Sequence, residues 1–397
     1  MTDQPFAAPV IPMEAAVATE LPPPPGWAYE PKWDGFRAVI WSGALTLDSD
    51  ARAGRGRGGG SEPRLDSRNA KPLLRYFPEL EPALAHLPPG TVADGEIVVV
   101  VGGRLDFDAL QNRIHPAESR VILLARETPA HVALFDLLAL RGEDLRQQPF
   151  RERRRLLEGL AAELGAGSRR NSETGSAAGE PPIGPETARP GSPWILSPST
   201  TDLETARRWF RDLEAAGFDG IVAKALDRPY AEGRREMVKV KHRRTVDCVI
   251  GGYRLHKDGK RVGSLLLGLY DDAGELHFIG HCSSFTEAEA AALLEALLNL
   301  APEAGENVAA GFGEHARHPG APSRWSGQRE SDFAPVRPEL VVEVSYDQLT
   351  GDRFRHATRF ERWRPDKDPR DCTMQQLERP RGLSLFEALL AHTAPKD

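Results

Sequence analysis

Tyr29-Glu30-Pro31-Lys32-Trp33-Asp34-Gly35-Phe36-Arg37 is the stretch on which the reading of this chain turns. It places one lysine among acids, a glycine and an arginine. Of the 51 basic residues only nine are lysine, at positions 32, 71, 224, 239, 241, 257, 260, 367 and 396. The chain therefore uses arginine wherever a plain positive charge suffices. An ammonium can lose its proton when desolvated or crowded by cations, whereas a guanidinium cannot. A lysine kept against that bias suits a side chain that must act as a neutral amine, and Lys32 is expected to be a nucleophile. Lys-x-Asp-Gly alone is a weak signal, equally compatible with a surface strand and a turn at Asp34-Gly35.

Working outward, Phe36 to Trp41 mixes β-branched and aromatic residues as a strand does. Asp94-Gly95-Glu96 opens a run of valines to Val101, a strand buried on both faces with acids at its mouth. A charged Glu96 there needs water, a cation or a metal. Val132 to Leu138 is a second buried strand carrying Phe135, which reads by itself as core and in context as a platform for a flat base. Asp219-Gly220-Ile221-Val222-Ala223-Lys224 echoes the Asp94 strand. In Met237 to Lys241, Lys239 and Lys241 alternate with valine and face one way, an arrangement suited to polyphosphate. A helix is expected from a capping box at Thr201-Asp202-Leu203-Glu204 to Ala216, closed by Gly217, with Leu203, Ala206, Phe210 and Leu213 buried.

At 397 residues the chain suggests two domains, and 40% hydrophobic residues can fill two cores. A net charge of -7 excludes a globally basic nucleic-acid binder, so polyanion contacts must be local. Cys248, Cys282 and Cys372 are too dispersed for a zinc module or a disulfide frame, which fits a reducing cytosol. No apolar run reaches membrane-span length, and residues 1–26 read as a lead-in without signal-peptide character. Residues 50–62, a low-complexity run of Arg and Gly, and 165–193, rich in Gly, Ser, Pro and Glu, read as flexible insertions. After Thr245, short strands, turns and one helix capped at Thr286 suggest a small barrel of the OB type. Residues 354–370 interleave basic residues with Phe360 and Trp363, the pattern of a phosphate-facing surface.

A nucleophilic lysine, acids at strand mouths, an aromatic platform and paired lysines together suggest nucleotidyl transfer through a lysyl-nucleotide. The chain resembles the ATP-dependent DNA ligases, most closely a compact bacterial type of the kind found in actinobacteria. Lys32 to Arg37, Ser67-Arg68-Asn69, Asp94-Gly95-Glu96, Phe135-Asp136, Asp219 to Lys224, Lys239-Val240-Lys241 and Arg364-Pro365-Asp366-Lys367 match that family's motifs in order, over about residues 27–372. The resemblance implies an α+β fold. An ATP-grasp-like nucleotidyltransferase domain with antiparallel sheets (27–244) would precede an OB-fold domain (245–397), with a hinge near Thr245 to Asp247.

It also implies roles. Lys32 takes AMP. Glu30 and Phe135 hold adenine, Arg37 and Glu96 reach the ribose, and Arg68 and Arg235 are further nucleotide or phosphate contacts. Lys239 and Lys241 bind the α-phosphate. Glu96 and Asp219 hold Mg²⁺ or Mn²⁺; Asp219 replaces a glutamate and is one methylene shorter, so its contact would run through water. Arg364, Asp366 and Lys367 orient the pyrophosphate. The implied protein is a cytoplasmic, nucleoid-using monomer that takes ATP, seals nicked double-stranded DNA and works with repair proteins sooner than in replication. An RNA ligase, a GTP-using capping enzyme and a catalytically silent DNA-end binder are the alternatives. An NAD⁺-dependent ligase is disfavoured by the cysteine count.

Overall fold

The computed structural model describes residues 5–43, 62–165, 192–302, 312–313, 315–319 and 333–377. The chain separates into two units, the first ending at His242 and the second starting at Arg243. The insertions expected at 50–62 and 165–193 lie almost wholly outside the described residues.

The first unit contains two sheets. Its strands are β1 (Glu14–Val17), β2 (Trp27–Pro31), β3 (Phe36–Trp41), β4 (Arg64–Ser67), β5 (Val92–Val101), β6 (Arg104–Leu105), β7 (Ala130–Leu140), β8 (Glu143–Asp144), β9 (Trp194–Leu196), β10 (Gly220–Ala225) and β11 (Arg235–Lys241). The larger sheet runs β4-β3-β5-β7-β8, with β6 on β5 and β9 parallel to β7. The smaller runs β1-β11-β10-β2. Val98 and Val99 of β5 are buried because they lie in the centre of the larger sheet, where Ile97 and Val99 pack with Leu110, Leu157 and Trp194; the expected burial does not extend to Val101, which is 43% exposed at the strand's end. A second core joins the sheets, with Tyr29 and Ile221 of the smaller against Val98, Ala133 and Phe135 of the larger. The quoted stretch is the crossing between them, since β2 and β3 belong to different sheets. Gly35 sits at the crossing because a Cβ there would collide with the Ile97 carbonyl.

Three expectations are corrected. Residues 1–26 are not a mere lead-in. Glu14–Val17 pairs in parallel with β11, and Val10 and Met13 are buried. A four-residue strand is too short to show a period, and its partner lies far along the chain. The helix Leu203–Asp212 is capped by Asp202, whose carboxylate accepts from the Glu204 and Thr205 amides, with no capping box from Thr201. Trp209 is its large buried residue, while Phe210 is half-buried and stacks on His242 at 4.0 Å. Gly217 closes the following turn at φ 97°, as expected.

The second unit is a curled antiparallel sheet. Its path runs Leu276–Cys282, Val262–Tyr270, Arg244–Leu255, Val341–Tyr346, Arg359–Trp363. A parallel bridge from Cys282 to Thr358 joins its two ends, closing the five strands in the order of an OB-fold. The helix Glu287–Leu298, with its capping box at Thr286 and Glu289, comes in the chain after Leu276–Cys282 and before Val341–Tyr346. Leu265, Leu267, Ile279, Leu297 and Val342 fill the barrel. Cys248, Cys282 and Cys372 are buried free thiols in the same core. Thr245 to Asp247, expected as a hinge, are instead paired with Ser345 to Glu343 inside the first barrel strand.

Candidate active site

Register brings the site together. In the smaller sheet Val17 lies beside Lys239, Lys239 beside Val222, and Val222 beside Glu30. Cross-strand neighbours present their side chains on one face. All four line a cleft of about 370 Å³ in the first unit, with Lys32, Trp33, Arg37, Arg68, Glu96, Phe135, Lys224 and Arg235.

Just beyond β2, the Lys32 amide donates to the Gly220 carbonyl at 2.8 Å, and the Asp219 amide donates to the Lys32 carbonyl at 2.9 Å. This backbone exchange sets the two side chains together. Lys32 Nζ is 2.6 Å from Asp219 Oδ2, and Lys241 Nζ is 3.3 Å from the same oxygen. Gly220 makes the approach possible: at φ +138° its missing Cβ would strike the Val240 carbonyl. Burial would raise the Asp219 carboxyl, but Lys32 and Lys241 outweigh it and hold the group below the usual carboxylate range. Burial lowers the Lys239 ammonium, and Lys241 and Lys32 push it the same way.

The floor of the cleft is buried and paired. Lys224 donates to the Phe135 carbonyl at 2.7 Å and meets Glu30 Oε2 at 2.9 Å, and both its ammonium and the Arg37 guanidinium lie 4.6 Å from the Phe135 ring centre. Burial pushes the Glu30 carboxyl up and the Lys224 ammonium down, while each opposes the other's shift. Glu30 Oε1 is buried without a hydrogen-bond partner among the described residues, and Arg154 approaches it to 3.6 Å. Arg37 grips the fully buried Asp94 through two bonds of 2.5 and 2.6 Å, and Tyr230 donates to the same carboxylate.

The mouth is open. Arg68 and Arg235 are mostly exposed, and both turn toward Glu14 of β1, at 3.8 and 3.2 Å. Glu96 also lines the cleft; burial pushes its carboxyl up to about 7, against the pull of Arg37 and Lys32. Arg37 and Lys32 are the cations that act on it, with Asp34 and Asp94 opposing them. Among the described residues no three His, Cys, Asp or Glu side chains gather into a metal site. Asp219 is committed to its two lysines.

The remaining expected residues belong to the second unit. Arg364 holds Asp247 through two 2.8 Å bonds and also pairs with Asp366, while Lys367 reaches Asp247 at 3.4 Å.

Known proteins resolve what such a cleft belongs to. The family model for the ATP dependent DNA ligase domain matches residues 12–241, and that for the ATP dependent DNA ligase C terminal region matches 258–367. This chain belongs to the ATP-dependent DNA ligases. It is 44% identical over 386 residues to DNA ligase C2 of Mycolicibacterium smegmatis, covering 95% of this chain and 97% of that protein. It is 42% identical over 389 residues to DNA ligase C of Mycobacterium tuberculosis, covering 96% and 98%. It is 32% identical over 377 residues to the multifunctional non-homologous end joining protein LigD of Pseudomonas aeruginosa, covering 93% of this chain and 37% of that longer protein. The chain is thus an enzyme that joins DNA at the expense of ATP.

The structure gathers Glu30, Lys32, Arg37, Arg68, Glu96, Phe135, Arg235 and Lys239 around one cleft of this ligase, with Asp219 and Lys241 paired beside Lys32. Glu14 carries no mark in the sequence, and Asp94 and Lys224 stand there only as motif positions without a role; the structure makes Asp94 the anchor of Arg37 and Lys224 the partner of Glu30. The lysine scarcity that drew attention to Lys32 applies equally to Lys224 and would have found it.

Proposed function

We propose that this ligase seals nicks in duplex DNA through a lysyl–AMP intermediate at Lys32, in DNA repair. The observation that carries the reading is the placement of Lys32. It is 22% exposed, 2.6 Å from Asp219, between a floor of Glu30, Phe135 and Lys224 and a mouth where Arg68 and Arg235 stand exposed beside Glu14. An acid beside an aromatic face suits a base with an exocyclic amine, so adenine lies on Phe135 with its amino group toward Glu30 Oε1, the oxygen that accepts no hydrogen bond among the described residues. Arg37 and Glu96 take the ribose, and Arg68 and Arg235 meet the phosphates.

In the first step Lys32 Nζ attacks the α-phosphorus and pyrophosphate leaves. Asp219 Oδ2 is in reach to take the amine's proton as the N–P bond forms. Lys239 and Lys241 offset the charge that builds on the phosphoryl oxygens. A 5′-phosphate oxygen of the nick then attacks the lysyl–AMP phosphorus, which frees Lys32. The 3′-hydroxyl next attacks the 5′-phosphorus and expels AMP. Mg²⁺ or Mn²⁺ would be held by Glu96 with Asp219 behind it, and supplies further charge neutralisation at the phosphates. Arg364, Asp366 and Lys367 orient the pyrophosphate, for which Arg364 and Lys367 must exchange Asp247 for the anion. The end-joining name of one relative supports repair.

The test offers α-labelled ATP, GTP and NAD⁺ separately, with nicked DNA and nicked RNA as acceptors. Label from ATP alone and sealing of the DNA nick is expected. Label from GTP, or sealing confined to RNA, would replace the reading with the capping-enzyme or RNA-ligase one.

A further inference from the structure

Glu14 is one of three acids lining the cleft, and its situation differs from the other two. Glu30 is buried against Lys224, and Glu96 stands by Lys32 and Arg37. Glu14 instead faces the cations of the mouth. One oxygen is 3.8 Å from Arg68, the other is 3.2 Å from Arg235, and its charge also supports the Lys239 ammonium across the sheet. The backbone holds it there: its amide donates to the Arg234 carbonyl at 2.8 Å and its strand pairs with β11. A carboxylate at the door of a phosphate site opposes the substrate's charge. Its presence needs a reason beyond stability, because exposed pairs of this kind contribute little to folding.

The reaction itself supplies one. On the nucleotidyl-transfer reading, on which this inference rests, the mouth must receive a triphosphate, release pyrophosphate, and then receive a different phosphate from the DNA end. Bare arginines would retain the first product. We propose that Glu14 is a positioning residue that acts as an exchangeable counter-anion for Arg68 and Arg235. It holds both guanidiniums in place while the mouth is empty and competes with pyrophosphate for them, so that the product departs. Each arginine then passes from carboxylate to phosphate and back, with no change in net pairing.

The experiment compares wild type, Glu14→Gln and Glu14→Asp in single-turnover adenylylation, with added pyrophosphate as inhibitor. Two exposed pairs imply that Glu14→Gln binds pyrophosphate about three- to tenfold more tightly. It should also lower the apparent KM for ATP by a similar factor and slow multiple-turnover sealing, with the effects shrinking at high salt. Glu14→Asp, which keeps the charge, should return toward wild type. A merely structural role predicts the reverse signature: weaker pyrophosphate inhibition and a raised KM together, tracking a lowered melting temperature. That result, or pyrophosphate inhibition within twofold of wild type in Glu14→Gln, overturns the proposal. If wild type itself forms no adduct with ATP, the nucleotidyl-transfer reading fails first, which separates the two failures.

Discussion

At the floor of the cleft Lys224 and Glu30 are each 3% exposed and 2.9 Å apart, whereas at its mouth Arg235 and Glu14 are 74% and 30% exposed and 3.2 Å apart. The distances barely differ; the surroundings do. A buried pair cannot be broken cheaply, because the charge left behind has no water to turn to. An exposed pair is worth under about 1 kcal/mol and exchanges readily. The floor is therefore suited to recognition that must be the same in every turnover, and the mouth to anions that come and go. Lys32 stands between them, paired with the 3% exposed Asp219 yet itself 22% open.

The comparison can be broken first at its midpoint. Lys32→Ala should reduce adenylylation by about 10⁴-fold or more, since no other amine replaces the nucleophile, while DNA binding by gel shift largely survives. Retained sealing would refute the enzyme account and favour a silent end-binder. Next in size is the floor: Lys224→Met should cost about 3–5 kcal/mol of stability by leaving the Glu30 charge buried, read from denaturant midpoints. A loss no larger than at the mouth would erase the distinction.

A pH dependence sharpens it. The Glu96 carboxyl titrates from 4.5 when unfolded and at about 7 when folded. Between those values the folded state keeps the extra proton, so this group makes stability fall as pH rises through that window and has no further effect above it. Glu96→Gln should flatten that part of the stability curve and abolish a rise in metal-dependent adenylylation toward pH 7; an unchanged slope would show that Glu96 does not titrate there. The smallest effect is at the mouth, where Arg235→Ala should change stability by less than about 1 kcal/mol and raise the KM for ATP a few-fold, more at low salt.

How much of this was legible depended on whether the signal was local. The valine run of β5 announced a central strand, and the alternation of Lys239 and Lys241 announced a shared face, because both are carried by neighbouring residues. Glu14 could not be read, since its meaning comes from a strand pairing with Arg235, 221 residues away. Asp247 could not be read as the partner of Arg364, 117 residues away, and was taken for part of a hinge. The division at His242 and Arg243 has no linker composition to mark it, because the strand Arg244–Leu255 begins directly after it. Lys224 is different: its signal was present in the lysine count and was passed over because a buried cation has no local mark.

The most direct measurement is to incubate the purified chain with ATP and Mg²⁺, digest it, and locate the modified peptide by mass. An adenylyl group on Lys32, bound through an acid-labile phosphoramidate and lost on addition of pyrophosphate, is the predicted result. An adduct on another residue, or none while nicks are still sealed, would contradict the account.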